Sequence, residues 1–169
     1  NPAFAKGLGY STFLQKTGPE KSFSSGAFGC VRNNGYKFHE GLDLYPVKRD
    51  KKGKAIDLIY SAMDGVVSHV NSVASYSAYG KYIVIEHTSV TPSLYSLYAH
   101  LKLNSITVKE GELVRAGQKI GECGNSGSST EPHLHFQVMD KACFYEAHGL
   151  PVSFRNITTE KNLEERCFS

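Results

Sequence analysis

The sequence predicts a mainly β domain built from antiparallel strands in a sandwich or barrel. Three observations predict it. Sixteen glycines, ten tyrosines and nine phenylalanines, with no tryptophan, favour many turns and pleated strands. Short apolar runs follow one another at close spacing, separated by Gly, Asn, Asp and Ser. Helical periodicity is scarce. At 169 residues the chain is one domain with tails, and its 40% hydrophobic and 21% charged content supports a packed core rather than disorder.

The elements follow in order. Residues 1–24 lack a clear period and are expected to form an arm holding at most one short helical turn. The domain proper is expected over 25–156. In "GAFGCVRNNGYKFHEGLDLY" turn residues separate short strands. "AIDLIYSAMDGVVSHVNSV" supplies two strands around Asp64-Gly65, and "GKYIVIEHT" alternates after Gly80. "SLYSLYAHLKL" alternates too, with Tyr95, Leu97, Ala99 and Leu101 on one face and Ser96, Tyr98 and His100 on the other. "ITVKEGELVRAGQKIGECGNSGSST" reads as short strands broken by Gly111, Gly117, Gly121 and Gly124. "TEPHLHFQV" alternates with Leu134, Phe136 and Val138 toward a core. His133, His135 and Gln137 lie on its other face, the two imidazoles about 7 Å apart along the strand. "LPVSF" is expected as a last strand. The tail, 157–169, is expected to hold a short helix capped by Thr159.

A net charge of +3 and a pI near 8.6 make the chain mildly basic. Its densest basic stretch, "VKRDKKGKAID", is diluted by two aspartates and reads as a solvated loop, so no nucleic-acid partner is expected. Cysteines stand at 30, 123, 143 and 167 without a C-x-x-C pair, which excludes a zinc ribbon and a thioredoxin-like redox motif and leaves any disulfide pairing open. No apolar stretch is long enough to be a transmembrane helix. The first residue is Asn1, as expected of a processed or truncated form.

The seven histidines divide into two groups. His69, His87 and His148 have no companions and read as structural or exposed. His39, His100, His133 and His135 sit in chemical contexts, with Asp43 in "FHEGLDL" beside the first. On an extended strand the Cα atoms of His39 and Asp43 would be about 13 Å apart, too far to share an ion whose bonds are near 2 Å. The backbone must therefore bend between them, and Gly41 is the residue that permits it. His39, Asp43 and one of His133 and His135 would give zinc three protein ligands and leave the other imidazoles for proton transfer. The spacing does not say which of the pair is the ligand. Glu40 and Glu131 point to the wrong face if their segments are extended, and are expected either to support the ligands from behind or to be exposed. "GNSGSS" does not match the G-x-S-x-G nucleophile motif and is expected to be a turn that could line a groove.

"FHEGLDL", "SAMDGVVSHV", "YGKYIVIEH", "LYAHL" and "VKEGELVRAGQKIGECGNSGSSTEPHLHF", in that order, resemble the lysostaphin-type (LytM-like) zinc endopeptidases that act on peptidoglycan. The resemblance implies a sandwich and barrel-like hybrid of the duplicated hybrid motif type with an open substrate groove. It implies one Zn2+ per chain, held by His39, Asp43 and His135, with His100 and His133 catalytic. It implies a peptide substrate in the bacterial cell wall, and hence export to the periplasm, the envelope or the medium. A monomer is expected. The segment "YPVKRDKKGKAIDLIY" departs from the family pattern as an extended loop near one end of the groove, read as a plain surface loop in preference to one that tunes specificity or contacts the wall.

Two rival readings are weighed. Some relatives lack ligands and activate cell-wall amidases without catalysis; here all five positions are filled. "VKEGELVRAGQKIGECG" also resembles hairpins of biotinyl and lipoyl carriers, but a carrier displays a lysine at a hairpin tip and Met63-Asp64 offers none.

Overall fold

The computed structural model describes residues 23–73 and 77–154. Most of the expected N-terminal arm and the expected terminal helix lie outside them. A 3-10 turn, Phe23–Gly26, leads into eleven strands: β1 (Gly29–Arg32), β2 (Lys37–His39), β3 (Leu42–Leu44), β4 (Leu58–Tyr60), β5 (Gly65–Asn71), β6 (Lys81–His87), β7 (Leu94–Leu101), β8 (Leu113–Val114), β9 (Lys119–Glu122), β10 (Leu134–Met139) and β11 (Gly149–Leu150). Every strand pairing is antiparallel.

Seven strands make one sheet in the order β11-β10-β7-β6-β5-β8, with β3 also paired to β10. Small sheets β1-β2 and β4-β9 complete the architecture, which is not a closed barrel. The main core lies where Ile59 of β4 and Ile120 of β9 meet Val67, Ile83, Ile85, Tyr98, Leu134 and Phe136 of the large sheet. Tyr82, Val84, Leu97, Ala99 and Met139 cover the sheet's other face with a second cluster. Apolar residues on both faces explain why "YIVI" in β6 is apolar without a break. The "LPVSF" strand is shorter than expected: only Gly149–Leu150 pairs, with Met139 and Val138. Pro151 follows and brings no N–H to continue the ladder.

The alternation expected in β7 holds from Tyr95 to Ala99 and then breaks. Lys81 pairs with Leu101 while Ile83 pairs with Tyr98, so Tyr82 alone opposes both Ala99 and His100. The extra residue is His100, in the left-handed region at φ 59°. Regular pleating would have put His100 on the core face beside Tyr98. The bulge turns it to the opposite face and returns Leu101 to the main core. Gly80 and Gly127, both at positive φ, hold the neighbouring loops tightly: a Cβ on Gly80 would lie 2.3 Å from the Ser126 carbonyl carbon.

Away from this face His87 is fully buried, and its role is structural, as expected of a lone histidine. Its Nδ1–H donates to the Asp64 carbonyl at 2.8 Å, and Nε2 lies 2.7 Å from Ser96 Oγ. Ser96 in turn bonds Tyr98, whose phenol oxygen accepts from Ala62 N–H. Every partner is satisfied with the ring neutral. Burial pushes the His87 pKa down, against the raising effect of the Asp64 carbonyl. The unfolded chain therefore takes up a proton near pH 6.5 that the fold refuses, and this contribution to stability is lost as pH falls below that value. The melting temperature should drop between about pH 7.5 and about pH 5.5, and His87→Gln, which can keep both hydrogen bonds, should show a smaller drop. Equal drops in the two proteins would contradict this account.

Candidate metal centre and cleft

β2 belongs to one sheet and β3 to another, and the chain bends between them at Glu40 and Gly41. That bend brings His39 Nε2 to 3.4 Å from Asp43 Oδ1. Gly41 is required there, because a Cβ would lie 2.6 Å from the Phe136 carbonyl oxygen and 2.8 Å from His135 Nε2. Asp43 and His135, 92 positions apart, are direct cross-strand partners in the β3-β10 ladder. Directly opposite residues share a face, so this register alone joins acid and imidazole. His135 Nδ1 stands 3.0 Å from Asp43 Oδ1 and 3.2 Å from His39 Nε2. His133 Nε2 is 3.5 Å from the same carboxylate oxygen. Asp43, His39, His133 and His135 are all buried.

Hydrogen bonds to the far side of each ring fix which nitrogen faces inward. A carbonyl only accepts, so His39 Nδ1–H donates to Ala27 O at 2.8 Å and His133 Nδ1–H donates to Glu131 O at 2.7 Å. In both rings Nε2 is then the lone-pair atom. For His135 the chain of logic is longer. Glu40 Oε2 accepts from Gln137 Nε2–H at 3.3 Å, so the amide oxygen of Gln137 faces the other way. That oxygen accepts from His135 Nε2–H at 3.1 Å and from the Tyr79 hydroxyl at 3.2 Å. His135 Nδ1 is left with its lone pair toward Asp43. Neutral imidazole lone pairs and a carboxylate oxygen thus converge with no donor among themselves, and such a cluster calls for a positive centre. His39, Asp43 and His135 each offer one ligand atom, all within 4.8 Å of one another. Two imidazole nitrogens and one carboxylate oxygen are a donor set suited to zinc.

Asp43 is also held from behind. Arg32 Nη2 donates to its Oδ2 at 2.6 Å, and Arg32 Nε donates to Ser25 O at 2.5 Å. One oxygen is fixed by the guanidinium while the other faces the histidines. Protons answer the same demand for positive charge: burial opposes ionisation of Asp43, but the hydrogen bonds that His133, His135 and His39 donate to it once protonated prevail and hold its pKa well below the ordinary range. For His133, burial disfavours the charged ring, and the hydrogen bond and charge of Asp43 outweigh it, raising the pKa.

His100, delivered by the bulge, lies beside His133 with ring centres 4.6 Å apart. Its Nδ1–H donates to Ser126 O at 2.7 Å, which again leaves Nε2 as the lone-pair atom. Burial, helped by His133 and His135, pushes its pKa down to about 3. Ser126 is itself anchored, its Oγ donating to Leu101 O at 2.7 Å and accepting from Lys81 N–H at 2.8 Å. The "GNSGSS" turn therefore aims an imidazole, and its Ser128 and Ser129 line a cleft of about 480 Å³ over the cluster. Lys37, Phe38, Glu40 and Tyr79 are on the cleft's other walls. Burial, with the charges of Glu40 and Asp43, pushes the Tyr79 phenol up to about 12.

All five residues singled out in the sequence meet here. Glu40, expected behind the ligands or exposed, lines the cleft and sets the orientation of Gln137, which bonds His135. Glu131 contributes its backbone carbonyl. Arg32, Tyr79 and Ser126 were not anticipated. Gln137 had one available signal, its place on the same strand face as His133 and His135.

A model described as Peptidase family M23 matches residues 37–147. The chain is 44% identical over 81 residues to the peptidoglycan DD-endopeptidase ShyB of Vibrio cholerae, covering 48% of this chain and 17% of that protein. It is 33% identical over 159 residues to an uncharacterized metalloprotease of Buchnera aphidicola, covering 90% of this chain and 36% of that protein. The chain thus spans only a part, 17% and 36%, of these curated relatives. Among solved structures, the catalytic domain of the prophage-encoded M23 protein EnpA from Enterococcus faecalis aligns with a TM-score of 0.55 at 27% identity, over 88% of this chain and 94% of that one. The catalytic domain of lysostaphin from Staphylococcus simulans aligns at 0.51 with 28% identity, over 73% and 83%. The family match runs through every residue lining the cleft except Arg32, and on it the chain belongs to peptidase family M23.

Proposed function

We propose that this domain is a zinc-dependent endopeptidase that hydrolyses peptide bonds in the stem peptides or cross-links of bacterial peptidoglycan. The observation that carries the reading is the inward convergence of His39 Nε2, Asp43 Oδ1 and His135 Nδ1, with His100 and His133 directly beside them under an open cleft. Relatives named as peptidoglycan endopeptidases support the substrate class. A wall substrate places the protein outside the cytoplasm, in the periplasm, the envelope or the medium. One chain supplies every residue invoked.

His39, Asp43 and His135 would hold the ion. Zinc in such a donor set acts as a Lewis acid, making water more acidic and polarising a peptide carbonyl. The remaining work falls to the chain's own groups. His100 and His133 are tethered through Nδ1 to the carbonyls of Ser126 and Glu131, so both present Nε2 to the cleft. One takes the proton of the attacking water at Nε2, and the other delivers a proton to the departing amine or donates to the developing oxyanion. Arg32 keeps Asp43 oriented. The walls formed by Phe38, Tyr79, Ser128 and Thr130 position an extended peptide across the histidines.

Two measurements test this. Purified protein should carry about one zinc per chain. His135→Ala should lose it, while His100→Ala should keep it and release fragments from purified peptidoglycan about 10²- to 10⁴-fold more slowly. Full activity in the His100 variant would remove that residue from the mechanism. The second concerns the Gln137 relay. Gln137→Leu deletes the acceptor that fixes the His135 tautomer and should weaken zinc binding in chelator competition by about 10- to 100-fold, with Gln137→Glu recovering most of the affinity. An unchanged affinity in a folded Gln137→Leu protein would show that the relay does not tune the site.

A further inference from the structure

Residues 46–57, "PVKRDKKGKAID", contain five of the chain's nineteen Lys and Arg and two of its sixteen Asp and Glu. Their net charge equals the +3 of the whole chain, so everything outside this segment balances to zero. The segment is an ordered hairpin. Arg49 bridges Ala55, Ile56 N–H donates to Lys48 O at 3.1 Å, and Asp50 N–H donates to Lys54 O at 2.9 Å.

Both acids in it are engaged with backbone amides rather than with the lysines. Asp50 Oδ1 accepts from Lys52 N–H at 2.8 Å and from Lys54 N–H at 2.9 Å. Asp57, buried at the base, accepts from Val47 N–H and Lys48 N–H. Arg49 is folded back, donating to Gly53 O at 2.8 Å with its guanidinium 5.2 Å from the Tyr45 ring centre. Lys48, Lys51, Lys52 and Lys54 remain exposed and form no ion pair among the described residues. By contrast, Lys102 and Lys119 on the neighbouring β9 side both pair with Glu122.

We propose that this hairpin is a docking surface for a linear, phosphate-bearing polyanion. Four exposed ammonium groups and Arg49 on a preorganised loop outnumber its two carboxylates, both of them turned to backbone amides, and the net +3 that remains matches a chain of repeated negative charges. The tip, residues 50–54, presents no apolar side chain to insert into a bilayer, while exposed Tyr45, Val47 and Ile56 stay at the base. None of the four lysines lines the cleft, so docking is separate from the hydrolytic site and stands without that reading.

Long-chain inorganic polyphosphate, titrated into the whole protein, is the probe. Four contacts to a flexible polyanion predict that affinity falls roughly 50-fold between about 50 and about 200 mM salt. Lys51→Gln with Lys52→Gln should weaken binding about 5- to 10-fold at the lower salt. The pair Lys109→Gln with Lys141→Gln removes the same charge elsewhere and should change it less than about twofold. Equal losses in the two pairs, or no binding by the unaltered protein, overturns the proposal. Tighter hairpin-dependent binding to vesicles of phosphatidylcholine and phosphatidylglycerol than to polyphosphate overturns it in favour of a membrane surface.

Discussion

The register between β3 and β10 is the constraint on which the rest of this molecule depends. It sets Asp43 opposite His135 and lets segments far apart in the chain build one cluster. Slipping that ladder by one residue would send Asp43 or His135 into the apolar core, because strand faces alternate. Leu42 and Leu44 on one strand, and Leu134 and Phe136 on the other, guard against the slip: each is buried in the main core only in the observed register. Hydrophobic burial thus fixes the chemistry, although no apolar residue takes part in it.

A second layer of control is electrostatic. Grouping a carboxylate and four imidazoles out of water is unfavourable unless each is hydrogen-bonded on its outer side. Here each is. Ala27, Glu131 and Ser126 contribute backbone carbonyls, Gln137 its amide oxygen, and Arg32 its guanidinium. These partners come from the turn before β1, from β1, from the loop leading into β10 and from β10 itself. The cluster is consequently tied to most of the elements around it, and the tautomer of each ring follows from structure rather than from solution preference.

Much of this was legible in the sequence. The period of two in "HLHFQV" separated the site face from the core face correctly, and the spacing of His39 and Asp43 demanded a bend that Gly41 provides. What could not be read has a physical reason in each case. That His135 rather than His133 groups most tightly with His39 and Asp43 follows from the β3-β10 register, and its inward nitrogen from the Glu40–Gln137 relay, which joins residues 97 positions apart. Arg32 reaches Asp43 only because β1 and β2 form a separate ribbon against the main sheet. His100 was placed on the wrong face of β7, since strict alternation cannot anticipate an inserted residue. "LPVSF" looked like a full strand on apolar content alone, and Pro151 ends the pairing.

The inserted residue in β7 has a wider meaning. A histidine carried on a loop would wander with that loop; one lodged in a mismatch between paired strands inherits the stiffness of the sheet. Deleting a single residue from β7 near His100 would restore perfect pleating and tidy the ladder with β6, yet it would leave the cleft without one of its imidazoles. The cleft therefore owes its fourth imidazole to an imperfection in the sheet's own regularity, and a sequence repaired toward ideal β geometry would be a better sheet around an incomplete cluster.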